Sequence, residues 1–185
     1  MDCKDIVHLC LELGAHKAEC IPVSKIVFQE ELRKYCEDNR CGRYARNYTC
    51  PPMIGEARQL INKLQTYPQA VIWQNIYQLE DSFDYEGMMA AQEKHNAMTL
   101  IMARKLYACF GRGNVQVLAA GGCTLCKACA CMTSDPCVHP EEALSSLEAY
   151  GIHVAQLEAV SGMKYINGSN TVTYFSGAFV KQNTK

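Results

Sequence analysis

Apolar residues recur at helical spacing from Asp2 to Leu13, where Ile6, Cys10 and Leu13 share a stripe with Val7 and Leu11, and Gly14 is a natural stop. Cys3 and Cys10 fall on roughly one face and read as small hydrophobes packing that helix against a core. The run from Cys20 to Phe28 reads as a strand, and its internal Pro22 assigns it to an edge. A short helix is expected from Gln29 through Leu32 toward Cys36. Ile54 to Tyr67 carries Ala57, Leu60, Ile61 and Leu64 in helical register, and Ala70 to Leu79 is a strand containing Val71, Trp73 and Ile76. Tyr85 to Phe110 then follows as one long helix, with Met88, Ala91, His95, Met98, Met102 and Leu106 spaced by three and four.

Val115 to Ala120 is a short apolar run of the kind that forms a buried strand, and Gly121-Gly122 breaks it into a cysteine-rich loop. The segment P-E-E-A-L-S-S-L-E-A-Y-G from Pro140 has proline first, acids in the first turn and glycine last, which marks a helix. A second short helix is expected over Val154 to Val160. Asn167-Gly168 turns a short strand into another, Thr171 to Val180, as a closing hairpin. Strands alternating with helices imply a single α/β or α+β domain over residues 1–185: a mixed sheet flanked by helices, interrupted by cysteine-bearing loops at 36–52 and 121–140.

Composition sharpens this picture at one point. Twelve cysteines in 185 residues is heavy usage, while the 49% apolar content is enough for a core. Eighteen basic and 19 acidic residues nearly cancel, and no basic stripe marks a nucleic-acid surface. No apolar stretch approaches a membrane span, and the first residues carry two acids rather than a secretory apolar region, so a cytoplasmic location is expected and a disulfide framework is disfavoured. The thiols point instead to metal.

Cys123, Cys126 and Cys129 are separated by two residues each, and Cys137 follows after seven more. Such a run can close around an iron–sulfur cube as bacterial ferredoxin runs do, although the last gap is longer and Pro136 precedes the final cysteine. Zinc is the competing reading, but Cys₄ zinc sites usually pair two C-x-x-C knuckles across a longer segment, and here three thiols form one triplet. Cys36, Cys41 and Cys50 make a second group, with four and eight residues between members and Pro51-Pro52 immediately after. A cube needs four ligands, so either a remote residue completes this site or one iron faces water or a small ligand. Cys20, Cys109 and Cys131 are the thiol candidates, ahead of His95 and His139. Pro51 stiffens the chain beside the last thiol and shields it. Arg40, Arg43 and Arg46 would compensate the charge of a cluster or an anionic substrate, unless they are simply a solvated loop, and Tyr44 and Tyr48 would cover the site. Arg43, Tyr44 and Pro51 are thus the expected cofactor-contacting residues.

These two loops, C-E-D-N-R-C-G-R-Y-A-R-N-Y-T-C-P-P and L-A-A-G-G-C-T-L-C-K-A-C, with the P-C-V-H-P-E-E-A-L-S-S-L-E-A-Y-G-I-H-V block after them, resemble a family of predicted metal-binding proteins of unknown function found in anaerobic bacteria and archaea. The blocks stand in the family's order. This chain departs in Ala45, where the family usually has glycine, and in the additional Cys131. The resemblance implies metal binding and leaves the reaction open.

Two 4Fe-4S clusters without any G-x-G-x-x-G, Walker A or radical-type cysteine motif favour an electron-transfer or redox accessory protein working with a redox partner protein. The alternatives are an enzyme using an open iron as a Lewis acid or sulfur acceptor on a small-molecule substrate, and a redox sensor or cluster-delivery protein. A closed first site favours electron transfer; an open iron in a polar pocket favours catalysis.

Overall fold

The computed structural model describes residues 1–181. Helix α1 (Cys3–Glu12) opens on a capping box: Asp2 accepts from the Lys4 and Asp5 backbone N–H groups, and Asp5 accepts in return from the Asp2 N–H. Its buried stripe, Ile6 and Cys10, lies where the spacing places it, and burial pushes the Cys10 thiol up to about 12. Strand β1 (Lys17–Pro22) follows, ending at Pro22 rather than running on to Phe28. Cys3 and Cys20 do not stay free. They form a disulfide with a Cα–Cα distance of 6.0 Å that staples the start of α1 to β1. This corrects the reading of Cys3 as a plain core thiol and removes Cys20 as a metal ligand. Disulfides are rare in reducing compartments, so this pairing pulls against the cytoplasmic expectation.

A 3₁₀ turn (Glu30–Leu32) leads into α2 (Arg33–Glu37), and α3 (Ala57–Gln65) precedes β2 (Gln69–Gln78). Helix α4 (Tyr85–Phe110) has the bounds its periodicity predicts. At its start the Asp84 carboxylate accepts from the Gly87 N–H at 2.8 Å, a cap that needs glycine because a Cβ there would lie 2.0 Å from that carboxylate. Strand β3 (Val115–Leu118), α5 (Leu157–Ser161) and β4 (Thr171–Val180) complete the elements that position the site.

The four strands run β1-β2-β4-β3, and every ladder is antiparallel. The fold is therefore α+β. A β2–α4–β3 crossover would have set β2 and β3 side by side and parallel, as a mixed sheet requires, but β4 inserts between them and is antiparallel to both. The inward residues of one face, including Val71, Trp73, Val117 and Ala178, pack under α1 and α4; Ile72, Leu118, Phe175 and Phe179 face the other core, with Leu64 of α3 and Leu157 of α5. Both faces being covered explains the long buried runs in β2 and β4.

Two further expectations fail. After Pro140 the chain makes one turn, in which the Glu142 and Ala143 N–H groups bond the His139 carbonyl, and then runs extended. Ala119 just past β3 captures it, donating to the Ser145 carbonyl at 2.8 Å and accepting from the Leu147 N–H at 3.3 Å. Arg104 of α4 meanwhile ion-pairs with Glu142 and Arg112 with Glu141, so the acids that looked like a helix start are drawn outward. Only a 3₁₀ turn at Glu148–Tyr150 remains helical. No strand precedes β4 across Asn167-Gly168 either; β4 takes its partners from β2 and β3, and Asn167 instead ties the loop by donating to the Lys164 carbonyl and Thr173 Oγ1.

Candidate metal centres

Strand β3 delivers the second cysteine loop. Asn96 of α4 clamps its exit by donating to the Ala120 carbonyl at 2.8 Å and accepting from the Ala120 N–H at 3.1 Å, and the chain then turns at Gly121 with φ of 73°. Cys123, Cys126, Cys129 and Cys137 all line one cavity of about 310 Å³. Burial raises the Cys123 thiol, and the neighbouring Cys137, Cys126 and Cys129 raise it further, so the four groups lie within electrostatic reach of one another. Cys129 is different: burial opposes ionisation, but the backbone N–H groups of Cys131 and Tyr48 and the Cys131 thiol together hold it below the usual thiol range. Cys131 therefore stands beside a candidate ligand without lining the cavity.

Cys36, on α2, and Cys41, Cys50 and Pro51, in the following loop, line a larger cavity of about 640 Å³ together with Tyr44 and Arg40. Burial pushes the Cys50 thiol up to about 11, Arg43 opposes this, and Cys41 and Cys36 add to it. Cys36 is also raised by burial, against the pull of Arg33. Arg33 sits three residues before Cys36 on the same helical face, where it donates to the Ala149 carbonyl at 3.0 Å and the Gly55 carbonyl at 3.1 Å. A metal bound at either group would supply the positive charge that these crowded, buried thiols lack as thiolates.

The two loops are stitched together. Arg43 Nη1 and Asn47 Nδ2 both donate to the Cys123 carbonyl, at 3.0 and 2.8 Å, while the Cys123 N–H donates to Thr49 Oγ1 at 2.9 Å. Thr49 in turn donates to Asn47 Oδ1 through its N–H and its hydroxyl, and Tyr48 OH donates to the Asp135 carbonyl. Gly122 allows the closest approach, since a Cβ there would stand 2.6 Å from Cys50 Sγ. Arg43 lines both cavities, and Arg46 and Tyr48 line the second.

No further thiol reaches the first group. Cys20 is in the disulfide, Cys131 stands beside Cys129, and Cys109 is exposed on α4. His95 is wholly buried: its Nδ1 donates to Asn75 Oδ1 at 3.0 Å, because the Asn75 amide donates to the Gly14 carbonyl, and its Nε2 takes the Ser176 hydroxyl at 2.7 Å. His139 lines the second cavity. Glu148, which the sequence did not single out, does line the first; its side chain is exposed, and the protein packed around it raises its pKa. Asn47, Thr49 and Arg33 were also not anticipated, although Arg33 announces itself by its spacing from Cys36. Among the described residues no three His, Cys, Asp or Glu side chains converge tightly enough to hold a single metal ion. The thiols line each cavity instead, and thiolates are soft ligands of the kind that iron–sulfur clusters and zinc both take.

Fold and site together define an α+β protein with two thiol-lined cavities joined by one loop-to-loop seam. Residues 19–180 match the family of predicted metal-binding proteins DUF2284, and the chain belongs to that family. Searches of curated proteins and of solved structures gave no match. No helix among the described residues is long and apolar enough to cross a membrane.

Proposed function

We propose that the protein binds two 4Fe-4S clusters, one held by Cys123, Cys126, Cys129 and Cys137 and one by Cys36, Cys41 and Cys50, and that the second of these is where a small molecule reacts. The observation that carries this reading is the first cavity, in which the three thiols share a polar wall with Arg40 and Glu148 and no fourth cysteine. When bound there, a three-thiolate cluster supplies one iron open to an outside ligand and a store of electrons. Arg33 and Arg43 hold positive charge against the thiolates, and Pro51 and Tyr44 narrow their access to solvent. Around the other loop, Leu125, Met132 and Val138 are exposed beside Lys127 and give a redox partner protein an apolar footing with a cationic element. Electron transfer thus survives as half of the activity, with the all-cysteine site as the electron inlet.

Anaerobic reconstitution should give close to eight iron and eight sulfide per chain, as two four-iron clusters require. Mild oxidation should then convert only the Cys36–Cys41–Cys50 cluster to a three-iron form, seen by paramagnetic resonance. Stoichiometric zinc without acid-labile sulfide rejects the clusters, and two clusters of equal resistance reject the open iron in favour of a closed relay.

A further inference from the structure

The cavity beside Cys36, Cys41 and Cys50 has a second wall that metal binding does not use. Tyr165 and Phe175 stack there with centroids 6.2 Å apart and ring planes 21° from parallel, and Tyr174 stands next to them with its hydroxyl donated to the Met88 carbonyl. Glu148 lines the cavity together with the thiols and the aromatic residues. It is the one carboxylate among the residues lining this cavity. Arg40 is exposed, and neither it nor Arg43 has a carboxylate partner within 4.0 Å among the described residues.

Charge and shape select a ligand class. A three-thiolate cluster carries about one net negative charge. Against it and the Glu148 carboxylate the cavity sets the Arg40 and Arg43 guanidiniums, while Arg33, behind Cys36, is offset by Glu37 and Glu56. Arg33 is occupied with the Ala149 and Gly55 carbonyls and Arg43 commits its Nη1 to the Cys123 carbonyl, so Arg40 offers a whole fork and Arg43 its remaining donors, a planar geometry that matches a carboxylate. Of the stacked pair, Phe175 is buried in the core and backs Tyr165, whose exposed ring offers a flat face on which a ligand ring stacks. At about 640 Å³ the cavity is large enough for a cluster and a small ligand together.

We propose that this cavity binds a small planar organic monocarboxylate, its charge on Arg40 and Arg43, its ring against Tyr165, and its far polar end at Glu148. The inference rests on the open-cluster reading above. Benzoate is the probe, with acetate, inorganic phosphate and the neutral isostere benzamide as comparisons, titrated into anaerobically reconstituted protein and followed by calorimetry and by the paramagnetic resonance of the reduced clusters. Benzoate should bind at least tenfold more tightly than acetate, phosphate or benzamide and should alter only one cluster's spectrum. Arg40→Gln, at an exposed position, should weaken benzoate at least tenfold with iron and sulfide content unchanged. Tyr165→Ala should weaken benzoate while leaving acetate as it was. Benzamide equal to benzoate overturns the anion assignment, and acetate or phosphate equal to benzoate overturns the planar one. Eight iron per chain with no benzoate binding rejects this inference alone, whereas four iron per chain rejects the reading beneath it.

Discussion

Ala45 occupies left-handed backbone, φ 55°, where its N–H donates to the Pro51 carbonyl at 2.8 Å and turns the first loop back toward Cys50. This conformation costs an L-residue about 1–2 kcal/mol, and glycine loses about 0.5–1 kcal/mol more freedom on folding than other residues. Ala45→Gly should therefore stabilise the protein by about 0.5–1 kcal/mol, a rise of about 2 °C in Tm measured by calorimetry; no change or a fall would show that the turn is not strained. A second single-residue effect comes from His95, which burial holds at about 4, below its ordinary 6.5. Below pH 6.5 the unfolded chain takes up a proton that the folded chain refuses until about pH 4, so stability is complete above 6.5 and is lost as pH falls through that window. The full loss is about 3 kcal/mol. In urea unfolding, the gap between wild type and His95→Gln should narrow from pH 7 to pH 4, and a constant gap would refute the assignment. At this scale the candidate thiols stand out in the sequence because soft-metal chemistry uses that residue type. Asn47 and Thr49 do not, because their value lies in bonds to each other and to Cys123, more than seventy positions away.

Elements were legible in proportion to how much of their stability is local. The stripe of α4 runs from Ala91 through His95, Thr99, Met102 and Leu106 to Phe110, and a helix of 26 residues with a capped start needs no outside help to be recognised. The segment after Pro140 carried better end signals and still did not form a helix, because Ala119 offered it two backbone hydrogen bonds, and Leu144 and Leu147 could reach cores on opposite faces of the sheet. Tertiary pairing overrode propensity there. Strand β4 keeps its expected bounds, Thr171–Val180, but takes its partners from far away in the chain rather than from a hairpin neighbour. The seam between the loops is likewise an element-level property, and it yields a prediction. Gly122 belongs to the second cysteine loop, yet a Cβ on it would meet Cys50 Sγ at 2.6 Å and Arg43 Cδ at 3.1 Å. Gly122→Ala should force the loops apart and lower iron and sulfide at the first site, leaving the Cys123–Cys137 cluster loaded. Gly113→Ala, which meets nothing within 4 Å, is the control and should retain both clusters. Equal loading of the two variants would mean the seam yields freely.

Across the whole molecule, the chain divides by what holds it. The sheet and its helices bury two apolar cores, and the Cys3–Cys20 disulfide adds a covalent tie; none of this involves the candidate ligands. The loops have no such support: from Cys123 to Pro140 no residue is buried, and the first loop buries little beyond Asn47, Thr49 and Pro51. A segment without a core is ordered by whatever its side chains bind, so in the proposed reading the clusters would contribute to the folding free energy of both loops and little to the sheet's. Chelating the iron should accordingly leave far-ultraviolet circular dichroism nearly unchanged while opening the loops to trypsin at Lys127 and at Arg40, Arg43 and Arg46. Lys63 in α3 and Lys105 in α4 should stay protected in both states. Cys126→Ala should expose Lys127 even in the presence of iron, by removing one ligand of the second site. Cleavage at Lys127 occurring equally fast with and without iron would show that metal does not order this loop, and loss of the dichroism signal on chelation would show that the sheet depends on the clusters after all.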